Sequence, residues 1–205
     1  LGTAGSIFSF RRHFAAIKPW LIRLLPVSVI GGWLGGVLLT RTDERLFDAL
    51  VPFLILFATV VFIIQGPLKR FAGFPDGESP HPHRRMLGLA TVIQFLVAVY
   101  GGYFGAGIGI LMLASLGLLG IGDLHRMNAA KNLLAAIINC VAALWFIAAG
   151  LIDWPRAAVL TVGAVCGYFL GAHYSQQVRQ ARVRRAVVVI GLIIAAAQFW
   201  KQFLA

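Results

Sequence analysis

Six long uncharged runs divide this chain, and its charged residues lie between them. The runs are Leu24–Thr40, Ala49–Leu68, Met86–Gly122, Asn132–Ile152, Ala157–Val178 and Ala186–Trp200. A helix that spans a lipid bilayer takes about 20 apolar residues. Five of the runs therefore predict one membrane-spanning helix each. Basic residues at the run ends, such as Arg23 and Arg185, can extend the shorter ones by reaching towards the interface.

The run Met86–Gly122 is different, because its 37 residues are too many for one span. At its centre lies Tyr100-Gly-Gly-Tyr-Phe-Gly-Ala-Gly-Ile-Gly-Ile110, which contains five glycines. Each glycine weakens a helix by about 1 kcal/mol relative to alanine. Non-helical backbone inside a bilayer is tolerated only where protein buries it or a wet cavity faces it. We therefore expect two short helices folded back around a non-helical bend at Gly101–Gly109, facing a polar cavity near the middle of the membrane.

The composition supports an all-α, polytopic membrane protein. Hydrophobic residues make up 60% of the chain and charged residues 12%, whereas a soluble domain has about 25% charged residues. The net charge of +11 comes from Lys and Arg spread among the short segments between runs. This distribution is typical of the positive-inside rule rather than of nucleic-acid binding. Cys140 and Cys166 lie within apolar runs, and we expect small buried hydrophobic residues there rather than a disulfide or a metal site.

The basic residues also indicate whether the glycine-rich run crosses the membrane or returns. If Met86–Gly122 crosses once, Lys and Arg divide 10 to 8 between the two sides; if it returns, they divide 14 to 4. Only the second division has the bias that the positive-inside rule expects. The charges therefore predict a returning hairpin, with the Arg179–Arg185 loop in the cytoplasm and the Arg41–Arg45 loop on the opposite side.

A weak internal repeat relates the two halves of the chain. Trp20 followed by Gly32 and Gly36 recurs as Trp154 followed by Gly167 and Gly171, and small residues four apart let helices approach closely. With a returning hairpin the two copies face opposite sides, which predicts an inverted repeat. Many transporters have this organisation and bind substrate at the interface of the repeats.

The repeat predicts three parts of the chain. Residues 1–65 are the remainder of a first transmembrane repeat, residues 66–85 a proline-containing loop between repeats, and residues 86–205 the second repeat. The offset of 134 to 135 residues places the first-half counterpart of Met86–Ala135 before Leu1. We therefore expect an amino-terminally truncated chain.

Several motifs occur in a fixed order along the second half. After the glycine-rich segment come Asn128-Ala-Ala-Lys131, Asn139, Phe146-Ile-Ala-Ala-Gly150-Leu-Ile-Asp153-Trp154 and Gly167-Tyr-Phe-Leu-Gly171-Ala172. In this combination the chain resembles the sulfite exporter family often called TauE/SafE, a group of bacterial and archaeal permeases. The similarity covers roughly Leu87 to Phe199, and the first half matches more loosely.

The resemblance implies a permease that moves a small sulfur-containing or organic anion across the bacterial inner membrane. Its expected partners are the lipid bilayer and the anion, with no nucleic acid, and no cofactor, metal or catalytic residue is expected. The oligomeric state stays open. Two other classes of function stay open as well: a non-transporting membrane scaffold or assembly subunit, and an intramembrane enzyme.

An anion at membrane depth needs hydrogen-bond donors and positive potential, because an uncompensated charge there is costly. Broken helices supply both through the free N–H groups at their amino termini. The expected substrate-binding residues are Gly101, Gly102, Gly105, Gly107, Gly109, Asn128, Lys131, Asn132 and Asn139, the last four of which fall close to one helical face.

Each of these residues also has a structural interpretation. The glycines suit tight helix packing, Lys131 a positive-inside flank, Asn128 a helix N-cap and Asn139 a hydrogen bond between helices. For Gln94 and His173, two polar residues inside the runs, buried hydrogen bonding is favoured over a role as proton or substrate groups.

Overall fold

The computed structural model describes residues 14–71, 84–117, 124–177 and 180–203. In these ranges the chain forms seven helices and no strand. They are α1 (Phe14–Arg41), α2 (Glu44–Phe71), α3 (Arg84–Tyr103), α4 (Ile108–Gly117), α5 (Leu124–Ala148), α6 (Trp154–Gln177) and α7 (Gln180–Phe203). Of the five runs that predict a single span, three lie entirely within one described helix. The other two, Asn132–Ile152 and Ala157–Val178, extend past the described ends of α5 and α6. The expected all-α architecture is confirmed.

The described part of the glycine-rich run, residues 86–117, lies in two helices joined by a short break, as expected. Helix α4 folds back along α3. The two helices are in contact across the hairpin, where the Ser115 hydroxyl donates to the side-chain carbonyl oxygen of Gln94 at 2.9 Å. The non-helical part is narrower than expected and comprises only residues 104–107. Gly101 and Gly102 belong to α3 and Gly109 to α4, which corrects the prediction of a bend over all of Gly101–Gly109.

Helices α1, α3, α4 and α5 enclose the core. Its fully buried side chains come from all four helices and include Leu24, Ala98, Met112, Leu134 and Ile138. Apolar side chains of this size each contribute about 1.5–3 kcal/mol when they are removed from water; within a bilayer, close packing takes over that role.

The packing register shows that α1, α3 and α5 run in the same direction. Along α1, Ser28 lies beside Gln94 of α3, and Gly35 lies beside Val99 and Tyr103 further along α3. In the same way, Gly32 packs against Ile138 of α5, and Thr40 accepts a hydrogen bond from the Trp145 indole at 3.3 Å. Helices α3 and α5 can run in the same direction only if the chain between them runs back. Helix α4 begins this return, in agreement with the 14 to 4 charge division.

Glycines on α1 allow these close contacts. Gly31, Gly32, Gly35 and Gly36 are all buried, and a Cβ atom added at Gly32 would lie 3.2 Å from the Ile138 Cα. The side-chain-free surface lets the backbones of α1, α3 and α5 approach each other. The expectation that Gly32 and Gly36 serve helix packing is confirmed.

Helices α2, α6 and α7 lie at the periphery. Helix α2 runs antiparallel to α7, since Thr59 packs against Gly191 and the rings of Phe53 and Phe199 lie 5.0 Å apart. The described side chains of α6 are almost all exposed, and no described atom lies within 4 Å of a Cβ built on Gly167 or Gly171. The second glycine pair therefore does not repeat the packing of the first within the described residues.

By length and apolar composition alone, two described segments are long and apolar enough to cross a bilayer. They are Trp20–Arg41 in α1 and Arg126–Ala148 in α5. Large apolar side chains on the outer helices are exposed, for example Val159 and Leu160 at 74% and 72%. Such surfaces are unfavourable in water and suit lipid contact.

Three details differ from the sequence-based expectations. Residues 66–71 end α2 and residues 84–85 begin α3, so any non-helical loop between them is confined to residues 72–83, outside the described part. Residues 180–185 begin α7 rather than forming a loop. Cys140 and Cys166 are free thiols, as expected, but both are exposed on the helix surface rather than buried. The division of the chain into two repeats stays a prediction.

Candidate functional site

The helix break between α3 and α4 depends on two glycines. Gly105 and Gly107 have φ angles of +78° and +73°. Residues with a side chain rarely adopt this left-handed conformation, because their Cβ approaches the following carbonyl oxygen. The α3 helix ends where the N–H groups of Phe104 and Gly105 both donate to the Tyr100 carbonyl. The sequence chemistry therefore determines both the end of α3 and the turn that follows.

The break follows the part of α3 that packs against the glycines of α1. Gly102 packs directly against Gly32, which is the central residue of the run Leu24–Thr40. Tyr103, the last residue of α3, lies beside Gly35, and its hydroxyl is 3.4 Å from the Thr42 hydroxyl just after α1. The break therefore begins beyond the level of Gly35. Its position near the middle of the membrane and a polar cavity facing it both stay predictions.

The break is loosely covered on one side. Ala106 is exposed, and Gly105 and Gly107 are partly exposed. The nearest described atom to a Cβ built on Gly107 is the Cβ of Ala58 in α2, at 3.5 Å. This backbone is more open than that of Gly101 and Gly102, which are buried among α1, α4 and α5.

Helix α4 directs its amino terminus towards the break. The first N–H groups of a helix have no partner within the helix, and the aligned peptide dipoles place about half a positive charge there. The first residues of α4 are Ile108 and Gly109. The absence of a side chain at Gly109 leaves backbone open to a neighbour or ligand. The arrangement is that of a common anion-binding site.

Lys131 of α5 lies beside this amino terminus. The Cδ and Cε atoms of Lys131 are 3.5 and 3.9 Å from a Cβ built on Gly109. The aliphatic part of the Lys131 side chain thus lies beside the first turn of α4. Lys131 is partly buried. Lys131 and the positive end of the α4 dipole are therefore contributed by two neighbouring helices.

The other expected polar residues, Asn128, Asn132 and Asn139, differ in their burial on α5. Asn128 lies about one turn before Lys131 on α5, and Asn132 directly follows Lys131. Both asparagines are partly buried. Asn128 lies inside α5, which begins at Leu124, so its alternative interpretation as an N-cap is wrong. Asn139 is exposed, further along α5 than the buried Ile138, and it does not continue the partly buried face of the other three.

Gly101 and Gly102 serve helix packing in this structure. A Cβ at Gly101 would overlap the Ile108 side chain, and one at Gly102 would overlap the Gly32 carbonyl. Both are therefore placed away from the opening at residues 104–107. Of the five glycines, it is Gly105, Gly107 and Gly109 that shape the break and the first turn of α4.

Aromatic residues that the sequence analysis did not single out hold the break in place. The Tyr100 hydroxyl donates to the Ala106 carbonyl at 2.8 Å. The Tyr100 ring packs edge-on against Phe57 of α2 at 5.6 Å and against Phe104 at 6.1 Å. The i, i+4 spacing of Tyr100 and Phe104 is a signal visible in the sequence, whereas Phe57 reaches the cluster only through the tertiary fold.

The buried polar residues form a second group, about 15 Å along α3 from the break. Gln94, Ser28 and Ser115 are each at most 1% exposed and are joined by hydrogen bonds. The expectation of buried hydrogen bonding for Gln94 is thus confirmed. The side chain of His173 lies outside the described residues.

Comparison with known proteins identifies the family of this chain. The family model described as "Sulfite exporter TauE/SafE" matches residues 1–197. A "Probable membrane transporter protein" of Haemophilus influenzae is 26% identical over 202 residues, which cover 97% of this chain and 75% of that protein. No solved structure matches. The chain belongs to the sulfite exporter TauE/SafE family and is a membrane permease of that type.

Proposed function

We propose that this permease moves a small sulfur-containing or organic anion across the bacterial inner membrane, and that the anion binds between Lys131 and the amino terminus of α4. The observation that carries the proposal is the contact of the Lys131 side chain with Gly109 in the first turn of α4. Membership of a family named for sulfite export supports the anion class.

The physical argument concerns charge in a medium of low dielectric constant. An isolated anion inside a bilayer is costly unless donors and positive charge replace its water. Here the dipole of α4 and the ammonium of Lys131 supply positive potential from two helices. Gly105 and Gly107 turn the chain so that α4 points its N–H groups at the break.

The proposed roles follow from this placement. The N–H groups of Gly107 and Gly109 donate to the anion, whereas that of Ile108 donates to the Gly105 carbonyl, and Lys131 balances the charge of the anion. Asn128 and Asn132, on the neighbouring turns of α5, contribute amide donors. Gly101 and Gly102 have a packing role instead. Translocation in this proposal involves no covalent change of the anion, in keeping with a family of transporters.

Flux measurements on protein reconstituted in liposomes test the proposal. Sulfite, a small sulfonate and a small carboxylate are supplied separately, and their uptake is followed with time. Lys131→Gln is expected to raise the KM for the transported anion about 10- to 100-fold, the effect of losing a hydrogen bond to a charged group worth about 1.5–3 kcal/mol. Lys131→Arg should retain most of the affinity.

Arg23→Gln is the matched control. Arg23 is exposed on α1 and is assigned by the charge division to the same side as Lys131, so it represents a basic flank without a ligand role. Its KM should stay within about twofold of wild type, as is usual for surface substitutions. Equal effects of the two substitutions would show that Lys131 is only a topological flank. Absence of flux for all three anions in the wild-type protein would contradict the proposed function itself.

A further inference from the structure

We propose that Gln94 is a positioning residue of the permease, whose side chain ties α4 to α1 and so determines where the amino terminus of α4 lies. The inference rests on the proposed function, because it concerns the same anion site. Gln94 itself does not touch the anion; it acts through the helix that carries Gly109.

The tie consists of two hydrogen bonds. The Gln94 amide nitrogen donates to the Ser28 hydroxyl of α1 at 3.0 Å, and its side-chain carbonyl oxygen accepts from the Ser115 hydroxyl of α4 at 2.9 Å. The Ser115 hydroxyl is shared with the Met112 carbonyl of its own helix, at 3.0 Å. Ser28 and Gln94 are 0% exposed and Ser115 is 1% exposed. The three side chains are thus sealed from lipid and from water, and a single residue of α3 connects its two neighbours.

Glutamine suits this position chemically. Its side-chain amide has a donor at one end and an acceptor at the other, so it can bridge two hydroxyl groups at once. An apolar side chain would connect neither helix. The long separation in sequence, 66 residues from Ser28 to Gln94, means that the bridge fixes a tertiary arrangement rather than a local turn.

Helix α4 needs such a tie more than the other helices do. It has ten residues, and the break at residues 104–107 interrupts its hydrogen bonding to α3. Continuity with α3 therefore does not set the direction of α4. Ser115 lies six residues after Gly109, about 9 Å along the same rod. A rotation of α4 about its far end would move Gly109 relative to Lys131, so the bond at Ser115 controls their alignment.

Substitutions that remove the hydrogen bonds of the bridge, with little change in side-chain volume, test this role. Gln94→Met is expected to raise the KM for anion flux about 3- to 15-fold, the range that follows from 0.6–1.7 kcal/mol for hydrogen bonds between membrane helices. The maximal rate should change less than the KM. Ser115→Ala should have the same direction of effect, and Ser115→Thr, which keeps the hydroxyl, should restore most of the affinity.

The matched control removes a hydroxyl group of α3 that takes no part in the bridge. Thr91 donates only to the Leu87 carbonyl of its own helix at 2.8 Å among its described bonds, one turn before Gln94. Thr91→Val should leave the KM within about twofold of wild type. The double variant Gln94→Met/Ser115→Ala should be no worse than Gln94→Met alone, because residues in one bridge are not additive. Additive effects, or an equal effect of Thr91→Val, would overturn the proposal.

A readout without substrate separates this inference from the proposed function. Ala106 is exposed in the break; a cysteine there, in a background with Cys140 and Cys166 replaced by alanine, can be labelled with a thiol reagent. Gln94→Met should change the labelling rate at least threefold, whereas Thr91→Val should not. An unchanged rate in Gln94→Met overturns the positioning role even if flux is observed. A changed rate together with no anion flux in wild type would contradict the proposed function and not the tie.

Discussion

At the scale of single residues, the five glycines of the motif have two different physical uses. Gly101 and Gly102 are helical and buried, and their missing side chains make room for Ile108 and for the backbone of α1. Gly105 and Gly107 have positive φ angles, and their missing side chains permit the turn itself. Substitution should therefore act through packing at the first pair and through backbone strain at the second.

The second pair gives a direct test of the break. Valine at position 105 or 107 would be β-branched in a left-handed conformation, which costs more than the 1–2 kcal/mol of an ordinary residue and would displace the start of α4. We expect Gly105→Val and Gly107→Val to lower anion flux by about tenfold or more while membrane insertion is retained. Flux in liposomes and membrane fractionation are the measurements.

Gly88 is the matched control for these variants. It lies on α3, and no described atom is within 4 Å of a Cβ built on it. Gly88→Val should therefore leave flux close to wild type. Normal flux in both break variants would show that the glycines at 105 and 107 do not shape the site.

At the scale of helices, close packing of α1 organises the molecule around the site. Its buried glycines bring α3 and α5 against the same helix, and α3 and α5 in turn hold α4 and Lys131. Helix α6 carries an equivalent pair of glycines in an open position. The same small-residue spacing therefore has different structural consequences in the two helices.

Valine substitutions on α1 and α6 compare these two positions. Gly32→Val would add atoms against the Ile138 backbone, and overpacking of this kind costs about 1–3 kcal/mol. For a chain of this size that lowers Tm by about 2–12 °C. Gly167→Val meets no described atom and should leave Tm unchanged or slightly raised. The measurement is thermal unfolding in detergent, and equal shifts for the two variants would contradict the packing argument.

At the scale of the whole molecule, helix directions and basic residues agree on the topology. Helices α1, α3 and α5 run the same way, α4 begins a return between the last two, and α2 runs opposite to α7. This is the arrangement in which 14 of the 18 basic residues share one side. The side that faces the cytoplasm stays a prediction from charge.

Cysteine labelling of intact cells tests the orientation. In a background without Cys140 and Cys166, a cysteine at Asp43, which is exposed between α1 and α2, should react with a membrane-impermeant reagent added from outside. A cysteine at Gln176, near the end of α6, should react only after the cells are opened. Labelling of Gln176 alone in intact cells would reverse the orientation, and equal labelling of both would contradict the returning hairpin.

The sequence by itself determined where the helices lie and that one run is broken. Backbone groups in lipid must be paired within their own segment, so uncharged runs of about 20 residues form helices whatever their neighbours are. A bend within Gly101–Gly109 was visible because glycine lowers the preference for a helix, and only the structure narrowed it to residues 104–107. The returning hairpin was visible through charge, because the bilayer sorts basic residues by side.

Only the tertiary structure decided which polar and small residues meet. Gly101 and Gly105 are alike in sequence context, but Gly101 lies under Ile108 and Gly105 does not. Ser28, Gln94 and Ser115 are ordinary residues in three apolar segments until packing joins them. Lys131 and Gly109 meet across two helices in the same way. Such contacts depend on helix rotation and register, which are set by the summed packing of many side chains and cannot be read from any single segment.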